Sequence, residues 1–227
     1  VSSDMAAISS YTNEFYILQS GEVAALGESG VKITDFYGKT VNKEAEVAYF
    51  DKNELDKGEF AHFMLKEIYQ QPAAILKTVS HMGEREQRQK IAAFFENLNR
   101  IYIVACGTAC HAGLVGKIAI EKAAGIPCEV CLSSEFRYTN PLLSAGVGVI
   151  LISQSGETAD TIAAAKLCRE KAVKTMAITN VFKSTLSRIA DFSLHTLAGA
   201  EVAVASTKAY TTALAALYMI SLTAGDE

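Results

Sequence analysis

The sequence has no excess of basic residues and no apolar run long enough to cross a membrane. Its 227 residues include 21 basic and 25 acidic side chains, so the net charge is −4 with histidine neutral. A nucleic-acid-binding protein needs a basic face to meet the phosphates, and we therefore expect no nucleic-acid partner. A membrane helix needs ~20 apolar residues in succession. The longest candidate, residues 213–222, is about half that length and is predicted to be a buried helix.

The start of the chain also lacks the pattern of a secretion signal. Its first residues, VSSDMAAISS, contain neither a basic segment nor the apolar stretch that would follow one. The five cysteines are odd in number and several lie in apolar runs, whereas disulfide frameworks belong mostly to small secreted domains. We therefore expect a cytoplasmic protein with reduced thiols. Half of the residues are apolar and a fifth are charged, which is the composition of a folded chain with a sizeable core.

The sequence divides into three segments, residues 1–45, 46–58 and 59–227. The first contains two predicted short strands around a glycine-bearing turn. The second is charged and has no clear period, which suggests a linker. In the third, apolar residues follow helical spacing up to Pro72, which is expected to break or restart the helix. A second amphipathic helix is predicted around residues 91–98.

Short apolar runs follow, separated by helical or turn-like sequence. They cover residues 101–105, 127–132, 147–152, 175–179 and 192–197. Near-continuous apolar runs indicate strands that are covered on both faces, and their alternation with helices indicates a parallel sheet. The predicted fold is therefore α/β, a doubly wound layer of about five strands.

Two loops at the expected carboxyl ends of these strands are small and polar. They are Cys106-Gly107-Thr108 and residues 153–158, SQSGET. Ligands of doubly wound sheets bind beyond these strand ends. The second loop offers three hydroxyls and an amide, and it leads into a helix whose N–H groups and positive dipole end favour an anion. It contains no lysine or arginine, so we predict a phosphate monoester held by neutral donors with modest affinity. The alternative is that Ser155 or Thr158 merely caps its own helix.

A third polar segment precedes an almost wholly apolar helix. It covers residues 199–208 and reads GAEVAVASTK. Its small residues allow the backbone to approach a ligand closely. Ser206 and Thr207 can cap the helix or reach a sugar hydroxyl, and Lys208 can neutralise a phosphate or lie on the surface. Because the helix is apolar nearly all round, we expect partners on several sides, such as a further domain or a subunit interface.

Other kinds of site are disfavoured by spacing. Gly38-Lys39-Thr40 lacks the earlier glycine of a P-loop, because Ile33 occupies that position. Cys128 and Cys131 fall in a predicted strand, where odd spacing sends two side chains to opposite faces. We therefore predict no metal site and no cofactor.

Three segments resemble the signatures of a known family. CGTACHAG, SQSGETADT and GAEVAVASTKAYTT are similar, in this order, to motifs of the first sugar-isomerase (SIS) domain of glutamine–fructose-6-phosphate aminotransferases (isomerising), also called glucosamine-6-phosphate synthases. The resemblance implies a three-layer α-β-α sandwich with a five-stranded parallel sheet, of the flavodoxin-like SIS type. Residues 1–45 resemble the end of the family's glutaminase domain. Residues 46–58 would be a linker, and residues 59–227 would be the first SIS domain with its N-terminal helices.

The resemblance also implies a substrate and a binding site. Enzymes of this family convert fructose 6-phosphate and glutamine to glucosamine 6-phosphate. By position in the motifs, Thr108 and Ser206 would contact sugar hydroxyls, and the Val204 backbone would line the site. The phosphate would be held by Ser153, Gln154, Ser155 and Thr158. Ala109 stands where the family often has serine, so one phosphate hydrogen bond is lost or is supplied by water or backbone.

The family's sugar chemistry depends on parts that we expect this chain to lack. These parts are the second SIS domain, with its lysine, glutamate and histidine, and most of the glutaminase domain, so no catalytic residue is assigned. Moving a proton between adjacent carbons requires a base within reach, and no such role can be transferred to Glu201 by motif. We expect a homodimer whose chain binds fructose 6-phosphate or glucosamine 6-phosphate without turnover. The alternative is a non-catalytic sugar-phosphate sensor, which would more often carry a basic helix-turn-helix.

Overall fold

The computed structural model describes residues 1–2, 8, 11–28, 30–47 and 56–225. The chain forms two compact units, Val1–Glu59 and Phe60–Glu227. Most of the predicted linker lies outside the described residues, as do parts of the first segment.

The first unit contains two small antiparallel sheets. β1 (Glu14–Phe15) pairs with β4 (Glu46–Val47). β2 (Glu22–Gly27) pairs with β3 (Gly30–Asp35) as a hairpin, and the glycine-bearing turn of this hairpin lies where the sequence predicts it.

The second unit is built around a five-stranded parallel sheet. Its strands are β5 (Arg100–Ala105), β6 (Cys128–Leu132), β7 (Val147–Ile152), β8 (Lys174–Thr179) and β9 (Phe192–His195). They lie side by side in the order β6-β5-β7-β8-β9, and every neighbouring pair is parallel. This is the flavodoxin-like order, in which the chain goes from β5 to β6 on one side and then crosses to β7 on the other side, so that the strand order reverses between β5 and β7. The predicted strands and the parallel sheet are confirmed.

Helices cover both faces of this sheet. They are α1 (Phe63–Met82), α2 (Arg85–Phe95), α3 (Gly107–Ala124), α4 (Ser133–Phe136), α5 (Ala159–Glu170), α6 (Thr185–Ile189) and α7 (Lys208–Gly225). Successive strand residues face opposite sides. Ile101 and Ile103 of β5 therefore pack with α2, α3 and α7, whereas Tyr102 and Val104 pack with α4, α5 and α6. The result is the expected three-layer α-β-α sandwich.

Close packing fixes the position of α3, which begins directly after β5. A Cβ on Gly113 would lie 2.9 Å from Ile103 Cγ2, and one on Gly116 would lie 2.8 Å from a methyl of Leu217. The two glycines therefore let α3 approach both the sheet and α7 more closely than alanine would allow.

Pro72 does not break the first helix, and the sequence-based expectation is wrong at this point. Helix α1 continues from Phe63 to Met82 with Pro72 inside it. Proline has no N–H to donate to the carbonyl four residues earlier, which belongs to Ile68. The side chain of Gln71 donates to that carbonyl instead, at 3.2 Å. A local side chain thus satisfies the acceptor that the proline leaves without its helical partner.

The cysteines are free and are mostly part of the core. Cys128 packs in the cluster of α2, α3 and α7, while Cys131 packs against the cluster on the other face, as the spacing in β6 predicts. Burial raises the pKa of Cys128 and of Cys168 to about 12. Within the described part of the chain, no group of three His, Cys, Asp or Glu side chains is arranged to hold a metal ion. No helix in that part is long and apolar enough to span a membrane.

Candidate functional site

A cavity of about 300 Å³ lies at the carboxyl ends of the central strands, where the strand order reverses. Three segments that are far apart in the sequence form its walls: the start of α3, the turn between β7 and α5, and the loop before α7. The cavity brings together every residue that the sequence predicts for the site, namely Thr108, Ser153, Gln154, Ser155, Thr158, Val204 and Ser206. Ala109 also lines it.

The turn between β7 and α5 is held in shape by its own hydroxyls. Ser153 Oγ accepts the N–H of Gly156 at 3.0 Å and lies 2.8 Å from Thr158 Oγ1. Ser155 Oγ accepts the N–H of Glu157 at 3.1 Å. A hydroxyl that accepts a hydrogen bond still carries a hydrogen that it can donate. One hydroxyl hydrogen joins Ser153 to Thr158, so the other two of the turn can be donated to a ligand.

Helix α5 begins without a side-chain cap. Thr158 occupies the N-cap position, but its hydroxyl bonds Ser153 and makes no capping bond to its own helix. The capping alternative is therefore wrong for Thr158, while Ser155 does make a local backbone bond. Thr158, directly before α5, lines the cavity, and a helix start with free N–H groups and a positive dipole end favours an anion.

Gly156 lets this turn pack against the loop that precedes α6. Its φ is +68°, and a Cβ would lie 2.1 Å from Ser184 Oγ and 2.5 Å from Ser184 Cβ. The neighbouring carboxylate of Glu157 accepts the N–H of Thr185 at 2.7 Å. The negative charge of Glu157 is thus directed to the start of α6 instead of to the cavity.

The residues that line the cavity include no lysine or arginine and a single carboxylate, that of Glu201. Glu201 Oε1 accepts the N–H groups of Thr207 at 2.8 Å and Ala209 at 3.0 Å, so Glu201 caps α7. Its Oε2 accepts the hydroxyl of Ser206 at 3.2 Å. Because Ser206 donates its hydrogen to Glu201, its oxygen can accept a hydrogen bond from a sugar hydroxyl.

Sequence reasoning missed Asn180, which also lines the cavity. Its Oδ1 accepts the N–H of Ala198 at 2.7 Å, and its Nδ2 donates to the carbonyl of Gly199 at 2.7 Å. Its backbone N–H donates to Gln154 at 2.9 Å. Asn180 thus joins the turn of residues 153–158, which we call the anion turn, to the start of the third wall, the loop before α7. It directly follows β8, and a polar residue after an apolar strand is the signal that identified the other loops.

His195 contributes no charge beside the cavity. Its Nδ1 lies 3.0 Å from Oγ1 of Thr179, a lining residue, and its ring lies 4.2 Å from that of Phe182. Desolvation, aided by the charges of His81 and Lys90, lowers the pKa of His195 to about 4. The imidazole is therefore neutral at pH 7, and the site offers neutral donors, as the sequence predicts.

The fold and the three converging motifs define a sugar-isomerase domain. The model of the SIS domain family matches residues 94–222, and the chain belongs to this family. The chain is similar to the glutamine–fructose-6-phosphate aminotransferases (isomerizing) of Clostridium tetani, at 45% identity over 228 residues, and of Caldanaerobacter subterraneus subsp. tengcongensis, at 46%. In both cases the match covers 98% of this chain and 38% of the relative, so the chain spans well under half the length of these proteins.

A solved structure supports the same relationship. The C-terminal domain of glucosamine-fructose-6-phosphate aminotransferase from Francisella tularensis is 41% identical and superimposes with a TM-score of 0.71. The match covers 75% of this chain and 49% of that chain. The resemblance inferred from the three motifs is confirmed.

Proposed function

We propose that this chain is the sugar-phosphate-binding half of the isomerase portion of an enzyme that makes glucosamine 6-phosphate from fructose 6-phosphate and glutamine. The observation that carries the proposal is the meeting of all seven motif residues in one cavity beside the uncapped start of α5. The names of the relatives support the substrate class. The ligand would be fructose 6-phosphate or glucosamine 6-phosphate.

The phosphate would lie at the 153–158 turn and the sugar over the other two walls. The turn can donate from hydroxyls and from the first-turn N–H groups of α5, while Ser206 can accept from a sugar hydroxyl. The cavity volume of about 300 Å³ is at the lower end of the roughly 300–1,000 Å³ range of small-molecule sites. This size favours a hexose phosphate over a nucleotide. Neutral donors predict modest affinity, and the methyl of Ala109 adds no donor.

Binding without turnover is the expected behaviour of the chain alone. Isomerisation needs a base within hydrogen-bond reach of the carbon acid. The only carboxylate among the lining residues, that of Glu201, is occupied in capping α7. In the whole enzyme, a second SIS domain and a glutaminase domain would supply the remaining groups, and residues 1–45 would be the end of the latter.

We also propose a cytoplasmic homodimer. Apolar side chains are exposed in pairs one turn apart on two adjacent helices: Leu114 and Ile118 on α3, and Tyr218 and Leu222 on α7. Exposed apolar side chains on neighbouring elements are typical of an interface. Light scattering after size exclusion tests the dimer, and a monomer at micromolar concentration would contradict it.

Calorimetric titration with fructose 6-phosphate, fructose and ATP tests the binding proposal. We expect heat with fructose 6-phosphate and none with fructose. The variant Ser155→Ala should weaken binding about ten- to a hundredfold, because it removes one donor to a charged group. Ser221→Ala is a matched control, since Ser221 bonds a local carbonyl on α7 and does not line the cavity. Binding of ATP alone would refute the proposal.

A coupled assay tests the absence of turnover. The chain is mixed with fructose 6-phosphate and ammonia, and glucosamine 6-phosphate is measured. Product formed by the chain alone would contradict the expectation. A non-catalytic sensor, the second candidate, would bind through the same cavity, but the aminotransferase names of the relatives favour the enzyme.

A further inference from the structure

We propose that Glu67, on α1, is a positioning residue that holds the third wall of the cavity in place. This wall is the loop of residues 199–207, and only the identity of its ligand rests on the proposed function. Glu67 is 2% exposed. Its Oε1 accepts the N–H of Val202 at 2.6 Å and the N–H of Ala203 at 3.0 Å. Its Oε2 lies 3.3 Å from Thr207 Oγ1, which donates to it.

The third wall needs such an anchor because it has no regular structure of its own. Residues 199–207 belong to no helix or strand, and the Val204 side chain is fully exposed. Backbone N–H groups in an irregular loop require acceptors from elsewhere. Glu67 supplies acceptors for two successive N–H groups at the centre of the loop, from a helix that is more than a hundred residues away in the sequence.

The same carboxylate is connected to Ser206 through a shared hydroxyl. Thr207 Oγ1 lies 3.3 Å from Glu67 Oε2 and 3.2 Å from Glu201 Oε1, but it carries one hydrogen. Glu201 also accepts the Ser206 hydroxyl. The two carboxylates therefore share Thr207, and displacement of Glu67 would change how Glu201 holds Ser206.

The buried Lys208 side chain of α7 contacts the face of α1 that carries Glu67. Lys208 is 2% exposed and donates to Gln70 Oε1 at 2.9 Å. Gln70 follows Glu67 by three residues and so faces the same direction on the helix. A positive charge in this region reduces the cost of burying the Glu67 carboxylate.

Glu67 holds the third wall and makes no bond to the anion turn. The 153–158 turn is held by bonds among its own residues and by contacts with the loops after β8 and before α6. Glu67 makes none of these bonds. Loss of Glu67 should therefore weaken the binding of the sugar while the affinity for a bare phosphate ion persists.

The test compares Glu67→Ala, Glu67→Gln and a control variant by titration with fructose 6-phosphate and with inorganic phosphate. We expect Glu67→Ala to weaken fructose 6-phosphate binding about tenfold, while phosphate affinity stays within about twofold. Glu67→Gln keeps an oxygen for both N–H groups and should restore most of the affinity. The control is Asp191→Ala. Asp191 accepts the N–H and the hydroxyl of Thr175, both at 2.8 Å, at the amino ends of the strands. The Asp191→Ala variant should lose stability and keep its affinities for fructose 6-phosphate and for phosphate.

The outcomes separate this inference from the proposed function. Equal losses for both ligands in Glu67→Ala, or no loss at all, would overturn the positioning role. If Glu67→Ala does not fold, Glu67→Asp, which shortens the side chain by one methylene, makes the same comparison. If the unaltered chain binds no fructose 6-phosphate, the proposed function fails. Amide hydrogen exchange then decides the positioning role: faster exchange at Val202 and Ala203 in the variant supports it, and unchanged exchange refutes it.

Discussion

Replacing Gly156 with alanine should both destabilise the protein and distort the anion turn. Gly156 has φ +68°, and an added Cβ would meet Ser184 at 2.1 Å and 2.5 Å. Ser184 cannot easily move, because it is buried and caps α6 by accepting the N–H of Ser187. The substitution therefore combines left-handed backbone strain with a clash against a fixed neighbour.

The magnitude follows from these two contributions. A left-handed conformation costs an ordinary residue about 1–2 kcal/mol, and overpacking a tight site costs about 1–3 kcal/mol. We therefore expect Gly156→Ala to lower the free energy of unfolding by about 2–5 kcal/mol. Because the N–H of Gly156 donates to Ser153, the shifted turn should also bind fructose 6-phosphate less tightly.

Gly125 provides a matched control for the strain alone. It ends α3 with the same φ of +68°, but an added Cβ there would meet nothing within 4 Å. Gly125→Ala should cost only the strain, about 1–2 kcal/mol. Urea unfolding followed by circular dichroism measures both variants. The double variant Gly156→Ala/Ser184→Gly should recover part of the loss, since glycine is tolerated at an N-cap. Equal destabilisation at Gly156 and Gly125 would refute the reasoning.

Three further predictions concern side chains around the cavity and in the core. Ser206→Ala should weaken fructose 6-phosphate binding about five- to tenfold by calorimetry, and unchanged affinity would exclude the sugar contact. The pKa of His195, about 4 when folded against an ordinary 6.5, means that the unfolded chain binds more protons between these values. The contribution of His195 to the free energy of unfolding should therefore be complete above pH 6.5 and be lost as the pH falls toward 4. The free energy of unfolding of His195→Asn should fall less steeply over this range, and equal slopes for the two proteins would contradict this. Cys128 and Cys168, whose pKa values are raised to about 12, should resist iodoacetamide at pH 8 until urea unfolds the chain, and rapid labelling of the native protein would count against their burial.

The fold could be predicted because its signals are local. The three central strands of the large sheet, β5, β7 and β8, are short apolar runs, since they are buried on both faces. The alternation of these runs with helices specified a parallel sheet, and strand ends that carry small polar residues marked two walls of the cavity. Pro72 was misjudged for an equally local reason. The rule that proline interrupts a helix omits the neighbouring Gln71, whose amide satisfies the carbonyl of Ile68.

The contacts that hold the third wall could not be predicted. Glu67 lies in an amphipathic helix where a glutamate is ordinarily solvated, and nothing in the sequence connects it to Val202. Glu201 is the only carboxylate of its motif, but its capping of α7 depends on a turn of the loop that the sequence does not reveal. Asn180 is the intermediate case, because its position after a strand was visible while its bonds to the third wall were not.

The anion turn and the third wall of the cavity therefore differ in how the sequence specifies them. Six consecutive residues contain the anion turn, with its hydroxyl bonds and its helix start, so the bonds within the turn are specified locally, while Asn180 and Ser184 supply its outside contacts. The third wall depends on carboxylates from α1 and from the loop itself, which only the tertiary fold brings together. Substitutions in α1, outside all three motifs, should then alter which sugar is accepted without abolishing the response to phosphate.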